Sequence, residues 1–119
     1  VHYNLFCGTV LSLGGEEQQR WLRRAHSSGV LGCFLLTEVG AGVLSGLVVE
    51  TVATWTWSSA EDEGYFDLNT PSPAAVKTWI SQGLAADWGV VVAQLMVEGQ
   101  CRGPHVLLVD MHAKGVKRE

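Results

Sequence analysis

The amino-acid sequence predicts a mainly β fold, in which two short helices precede an antiparallel β-sandwich or open barrel. Two helical segments come first, and after residue 29 the apolar residues instead form runs of strand length. No helical periodicity separates those runs, which favours antiparallel sheets over alternating helices and strands. With 119 residues, 47% of them hydrophobic and 17% charged, the chain has the size and composition of one globular domain with a buried core.

The first predicted helix places its apolar residues on one face, at the spacing i, i+3, i+4, i+7 and i+8. These residues are Tyr3, Phe6, Cys7, Val10 and Leu11. Gly14 and Gly15 end this helix, and a second helix is predicted over Glu16–Ala25. Its acidic residues come first and its basic residues last, which is the order that complements the helix dipole.

Six segments of the remaining chain are predicted as strands. Val30–Leu36 is a continuous apolar run, typical of a strand buried on both faces. Leu47–Trp57 alternates with period two, and the acidic turn Ser58–Gly64 allows Tyr65–Leu68 to return beside it as a hairpin. Beyond the proline-containing loop 69–73, the other strands are Val76–Ser81, Trp88–Val97 and His105–His112, the last two joined by the loop Glu98–Pro104.

Charge and cysteine content exclude several classes of function. The formal net charge is -4. Basic residues are concentrated only at Arg20, Arg23 and Arg24 and at Lys114, Lys117 and Arg118, so no basic face for nucleic acid is predicted. Three separated cysteines and four scattered histidines predict neither a disulfide framework nor a metal site.

Two further features concern membrane spans and the extent of the chain: the length of the apolar runs and the identity of the first residue. The longest apolar runs, such as Val30–Leu36, are far shorter than the roughly 20 residues of a membrane span, so no span is predicted. The chain begins at Val1 without an initiator methionine. We therefore expect it to be a piece of a longer polypeptide, with any targeting signal outside it.

Two segments have the composition of a binding site. Phe34–Gly42 is an apolar strand that ends in a loop with glycines at alternate positions, where the backbone can approach a ligand closely and offer several N–H donors. Lys77–Gly83 presents an indole beside a hydroxyl group. Each has an ordinary alternative when taken alone: a turn for the first, and a packed tryptophan beside a solvated serine for the second. Glu38 is predicted to fix the loop as a hydrogen-bond acceptor rather than to act as a base.

Together, in this order, the two segments resemble the flavin-binding signatures of the acyl-CoA dehydrogenase and oxidase superfamily. Thr37–Val43 follows the T-E-x-G-A-G-S type of loop, and Lys77–Ser81 follows the pattern K-x-W-I-[ST]. The resemblance extends along nearly the whole chain, and three further segments are more similar to the oxidase branch: Glu50–Thr54, Asn69–Pro71 and Gly103–Val109. It implies that residues 1–28 end an N-terminal helical domain and that residues 29–119 form a β-rich middle domain that contacts flavin and acyl-CoA.

The resemblance implies roles for individual residues. FAD would be bound by Leu36, Thr37, Gly40, Gly42, Trp79, Ile80 and Ser81, and the acyl-CoA by Val43. Donors around Thr37 would stabilise the reduced ring at its pyrimidine edge, Trp79 would cover one face, and Ser81 would reach the hydride-accepting N5. In the family, a glutamate from a later helical domain removes the α-proton. No residue of this chain matches it by motif, so no catalytic residue is assigned to the chain.

The protein implied by the resemblance is a peroxisomal, FAD-dependent acyl-CoA oxidase of fatty acid β-oxidation, a homodimer whose substrates are fatty acyl-CoA and O2. Two departures from the family pattern leave other functions open. Val43 stands where dehydrogenases have a serine, and Ile80–Gly83 stands where oxidases have a Pro-Gly-Gly turn. The first alternative is a non-catalytic homologue that serves as a binding or scaffold module. The second is an unrelated β-sandwich interaction domain.

Overall fold

The computed structural model describes residues 1–42, 44 and 49–114. Three parts of the predictions fall outside these residues: the substrate contact Val43, the beginning of the strand Leu47–Trp57, and the basic residues Lys117 and Arg118. The chain divides into two compact units. Unit 1 consists of Val1–Leu35, Trp79–Val91 and the segment from Leu107 onward, and unit 2 consists of Leu36–Thr78 and Val92–Val106.

Unit 1 begins with the two predicted helices. A π-helical turn, His2–Cys7, continues into α1, Gly8–Leu13, and α2 follows at Glu16–Ser27. The backbone becomes extended at Gly14. Gly15 N then donates to the Gln18 side chain at 3.0 Å, which satisfies one of the donors at the start of α2.

The core of unit 1 is built from the two helices and the sheet. Its buried members are Phe6, Val10, Leu22 and Val90, and the residues packed around them are Cys7, Trp21, Phe34, Trp88 and Leu108. The predicted apolar face of the first helix is therefore only partly a core face. Phe6 and Val10 are buried, whereas Tyr3 and Leu11 are 69% and 55% exposed.

Five strands are present in the described part of the chain: β1 Gly32–Leu35, β2 Val52–Ser58, β3 Glu63–Asn69, β4 Trp88–Val97 and β5 Gln100–Asp110. They form a mixed sheet of order β1-β4-β2-β3, in which β5 also pairs with β4. The sheet of the described strands is not closed, and the predicted sandwich or open barrel is not confirmed. The mainly β character and the two preceding helices are confirmed.

The expectation of purely antiparallel pairing is wrong. β1 pairs with β4 in parallel, with Gly32 opposite Trp88, and β2 also pairs with β4 in parallel, with Val52 opposite Gln94. Parallel neighbours require a long crossover. Many residues lie between the partners here, and the described ones among them form no long helix. The predicted hairpin of β2 and β3 is antiparallel, and it runs from the pair Val52 and Asn69 to the pair Ser58 and Glu63.

The turn between β4 and β5 explains why β5 begins earlier than predicted. β4 has the predicted bounds. Glu98 and Gly99 have φ angles of 51° and 74°, the left-handed pair typical of a two-residue hairpin turn. The chain therefore reverses within two residues, and β5 starts at Gln100 rather than at His105.

The predicted strand Val76–Ser81 is wrong. A short 3-10 helix, Pro73–Ala75, comes just before it, and the only β-bridge of this segment joins Lys77 to Glu38. Trp79 and Gln82 have φ angles of 59° and 57°. A left-handed backbone cannot continue a strand, so the segment forms an irregular turn.

None of the helices in the described residues has the length and apolar character needed to cross a membrane. Within the same residues, no group of three or more His, Cys, Asp or Glu side chains is placed to hold a metal ion.

The contact between Gly32 and Phe6 allows a test of the packing in unit 1. A Cβ atom on Gly32 would overlap the ring of Phe6, which is fully buried. We expect Gly32→Ala to lower the free energy of unfolding by about 1–3 kcal/mol, the usual cost of overpacking a core. Gly8→Ala is the control, because its added Cβ would meet only a backbone oxygen at 3.8 Å. In this helix it should be neutral or stabilising by up to about 1 kcal/mol. Equal stabilities of the two variants in denaturant unfolding would contradict this packing.

Candidate functional site

The glycine-containing loop after β1 is a tight reversal within unit 2. Glu38 N donates to Ala41 O at 3.3 Å, and Ala41 N donates back to Glu38 O at 3.2 Å. Between these two residues, Val39 N donates to Val76 O at 3.0 Å. The loop is therefore held both by its own backbone and by the segment that leads to the second motif.

Gly40 is a glycine because the backbone of another segment approaches it closely. Gly40 N donates to Ala74 O at 2.8 Å, and a Cβ on Gly40 would lie 3.0 Å from the Cβ of Ala74. Gly42, by contrast, is exposed, with open space around the position of a Cβ. With Gly40 included, all four amides of residues 38–41 donate within the protein. The expectation that this loop offers several N–H donors to a ligand is wrong for these four.

The carboxylate of Glu38 is buried at the centre of these contacts. Its side chain is 0% exposed, and four donors point to its two oxygens. They are Glu50 N at 2.7 Å, Thr51 N at 3.0 Å, Thr51 Oγ1 at 2.5 Å and Lys77 Nζ at 2.9 Å. The prediction that Glu38 fixes the loop as an acceptor is confirmed.

Lys77 neutralises this carboxylate and bonds to two backbone carbonyl groups as well. Its side chain is 10% exposed. Nζ donates to Leu36 O at 3.1 Å, to Glu38 Oε1 at 2.9 Å and to Val92 O at 2.7 Å. Three acceptors at these distances require three N–H donors, which only the protonated amine has. Glu38 and Lys77 are therefore a charged pair inside unit 2.

Burial and hydrogen bonding have opposite effects on the charge of Glu38. Burial raises the pKa of its carboxyl group, but the hydrogen bonds from Thr51, from the Glu50 amide and from Lys77 outweigh it, so the pKa lies below its ordinary value. Burial also lowers the pKa of Lys77, against the opposing effect of the Glu38 carboxylate. The pair depends on its hydrogen bonds to keep both charges in a buried place.

Backbone contacts within unit 2 bring parts of the two predicted flavin-binding segments together. Thr78 N donates to Thr37 O at 2.9 Å, and the Leu36 carbonyl accepts from Lys77 Nζ. Leu36 and Thr37 of the first segment therefore lie beside Lys77 and Thr78 of the second. The next residue in the chain, Trp79, is the first one assigned to unit 1.

The remaining predicted contacts belong to unit 1. Trp79 is 90% exposed and has a left-handed backbone, Ile80 is half-buried, and Ser81 is exposed. Two hydrogen bonds hold the turn. Gly83 N donates to Ile80 O at 3.2 Å within it, and the Gln82 side chain donates to Gly32 O of β1 at 2.7 Å. An exposed indole on a strained backbone is a common feature of ligand sites.

Sequence reasoning missed Thr51 and the role of Lys77. In the period-two pattern of the predicted strand Leu47–Trp57, Thr51 shares a face with the apolar residues Val49 and Ala53. A polar residue on such a face is a signal that a buried acceptor lies nearby. Lys77 was part of the second motif but was given no role. Its signal was a charge opposite to that of Glu38 in the first motif.

Comparison with known proteins finds acyl-CoA oxidases, although no family model matches the chain. Acyl-coenzyme A oxidase acox-1.3 of Caenorhabditis elegans is 34% identical over 113 residues, which cover 93% of this chain and 16% of that protein. Peroxisomal acyl-coenzyme A oxidase 1 of Rattus norvegicus is 32% identical over 121 residues, with 99% and 17% covered.

Solved structures agree with the sequence comparison. One is the structure of acyl-CoA oxidase-1 of Caenorhabditis elegans, complexed with FAD and ATP, which matches with a TM-score of 0.80 and 32% identity. The match covers 98% of this chain and 18% of the oxidase chain. Over the residues that it spans, this chain belongs to the acyl-CoA oxidase family. The Arabidopsis thaliana acyl-CoA oxidase 1 also matches, with a TM-score of 0.78 and 32% identity over 97% of this chain and 17% of its own.

The acyl-CoA oxidase relatives are much longer than this chain. The chain spans less than one fifth of the length of each of these four proteins.

The Glu38 carboxylate gives a test of the loop in this oxidase-family chain. Glutamine has one acceptor oxygen, so Glu38→Gln turns an NH2 group toward a backbone donor and leaves the Lys77 ammonium unpaired. We expect the free energy of unfolding at pH 7 to fall by about 3–5 kcal/mol. The matched control, Glu61→Gln in the exposed β2–β3 turn, should change it by less than about 0.5 kcal/mol.

The destabilising effect of Glu38→Gln should depend on pH. Because the folded-state pKa of Glu38 lies below its ordinary value of 4.5, its stabilising effect is present above pH 4.5 and is lost as the pH falls through the folded-state pKa. The stability difference between the wild type and Glu38→Gln should therefore shrink in acid. Urea unfolding at a series of pH values measures it, and a difference that stays constant down to pH 3 would contradict the assigned network.

Proposed function

We propose that this chain is the flavin-contacting part of an FAD-dependent acyl-CoA oxidase that acts on fatty acyl-CoA and O2. The observation that carries the proposal is the alignment of 93% to 99% of the chain with acyl-CoA oxidases, one of whose structures is complexed with FAD. When bound, FAD supplies the ring that accepts a hydride from the acyl thioester and passes the electrons to O2, which gives hydrogen peroxide.

Three residues of this chain are given separate proposed roles toward such a ring. Trp79 supplies a large aromatic face that is 90% exposed in unit 1, and its role is to cover one face of the ring and keep water away from it. The Ser81 hydroxyl group is exposed in the same turn, and its role is to bond to N5. The role of Thr37 in unit 2 is to donate to the pyrimidine edge.

Leu36, Gly40, Gly42 and Ile80 complete the proposed contacts with the cofactor, and Val43 is proposed to contact the acyl-CoA. The amide of Gly40 already bonds to Ala74 O, so its contact is limited to the rest of the residue. The base that removes the α-proton is proposed to lie in a later helical part of the protein. We further propose a homodimer in peroxisomes, as the resemblance implies.

The direct test uses the full-length protein that contains this chain. We expect a yellow protein with the absorbance of bound flavin, which fatty acyl-CoA bleaches without oxygen and which yields hydrogen peroxide when air is admitted. A protein that stays colourless after reconstitution with FAD would contradict the proposal and favour the non-catalytic scaffold. A yellow protein that no acyl-CoA bleaches would contradict the proposed reaction.

Substitutions in the exposed turn test the assigned contacts. Trp79→Ala should weaken flavin binding by about two- to tenfold, which corresponds to the loss of one aromatic contact. Ser81→Ala should slow reduction of the bound flavin. Trp57→Ala on β2 is the matched control, since Trp57 is another exposed indole, at 58%, without a proposed contact. Unchanged affinity and reduction rate in both turn variants would contradict these site assignments.

A further inference from the structure

The carbonyl groups of the first flavin-contacting segment are engaged inside unit 2. Leu36 O accepts from Lys77 Nζ at 3.1 Å, and Thr37 O accepts from Thr78 N at 2.9 Å. The groups with which Thr37 can meet a ligand are then its amide and its hydroxyl group, and both can donate. The segment therefore has the polarity of a donor site.

That polarity matters for a flavin. The reduced ring gathers negative charge at its pyrimidine edge, where N–H and O–H donors are favourable and carbonyl oxygens are unfavourable. Because the Leu36 and Thr37 oxygens are bonded to residues 77 and 78, these unfavourable acceptors are kept away from the ring. Lys77 is the residue that makes this possible, because one ammonium group bonds to Leu36 O, to Glu38 and to Val92 O at once.

We propose that Glu38 and Lys77 are positioning residues for the cofactor, whose ion pair holds the Leu36 and Thr37 carbonyl groups inside unit 2 so that Thr37 meets the ring with donors. This inference rests on the proposed function. Neither side chain is assigned a contact with flavin or substrate, since the carboxylate is 0% exposed and the lysine side chain 10%.

The pair also anchors the chain just before Trp79. Lys77 bridges to Glu38, and Thr78 bonds to Thr37, so residues 77 and 78 have a fixed backbone. Trp79 follows with its left-handed φ of 59°. Thr78 is the last residue of unit 2 before Trp79, so the fixed backbone extends to the end of this segment of unit 2.

The experiment compares four variants of the full-length protein. Lys77→Met keeps the unbranched stem of the side chain and removes the charge, and Glu38→Asp keeps the charge and withdraws the carboxylate by one methylene. Lys114→Met removes an exposed lysine and is the control for charge. Leu22→Ala cuts a buried core side chain of unit 1 and is the control for lost stability alone.

Three quantities are measured at a temperature where all variants are folded: the exchange rate of the Thr78 amide hydrogen without flavin, the Kd for FAD, and the reduction potential of bound flavin. In both network variants we expect about tenfold faster exchange and about tenfold weaker FAD binding, as for supporting partners of other ligand sites. The potential should become more negative, because donors to the reduced ring are displaced. Both controls should leave all three quantities unchanged, although Leu22→Ala should lower the melting temperature.

The outcomes separate this inference from the proposed function. One outcome is that the wild type binds FAD, while Lys77→Met and Glu38→Asp lose stability as Leu22→Ala does but keep the wild-type Kd and reduction potential. The ion pair is then only structural, and the inference is overturned. If the Thr78 amide exchanges at the wild-type rate in Lys77→Met, the ion pair does not hold the backbone at residues 77 and 78, and the inference is overturned. If the wild type does not bind FAD at all, the proposed function fails and the inference fails with it.

Discussion

The buried carboxylate of Glu38 is the constraint on which the rest of unit 2 depends. A charge without solvent contact is costly unless donors surround it, and four donors from residues 50, 51 and 77 surround this one. Three parts of the chain are held to one another as a result: the loop after β1, the entry to β2, and the segment that leads to Trp79. The buried charge is tolerated only while these donors keep their positions, so the backbone of all three parts is defined.

The glycine-containing loop has a different role from the one that its sequence suggests. A loop with alternate glycines suggests a cradle of amides, but the amides of residues 38–41 are used within the protein. Gly40 serves close packing against Ala74 instead. Under the proposed function, the amides of residues 38–41 are therefore not available to the cofactor, and the proposed contact of Thr37 does not rely on an amide cradle.

The sequence predicted the elements with regular patterns and missed those that depend on distant contacts. The helices and the strand Trp88–Val97 were predicted because their periodicity or apolar run is local information. Parallel pairing was missed because nothing local distinguishes a long crossover from successive hairpins. The strand over Val76–Ser81 was wrong because its conformation is set by bonds to residues 37–39, some 40 positions away. Of the candidate site, the motif residues could be recognised, whereas the role of Thr51 required the fold.

The coupling energy between Glu38 and Lys77 is the most direct measure of whether their ion pair holds the loop. A double-mutant cycle with Glu38→Gln, Lys77→Met and the combined variant, followed by denaturant unfolding at pH 7, determines it. If the two side chains form one network, the cycle should give a coupling of about 1–3 kcal/mol. Additive effects within about 0.5 kcal/mol would show that the two residues act independently and would contradict the central role of their ion pair.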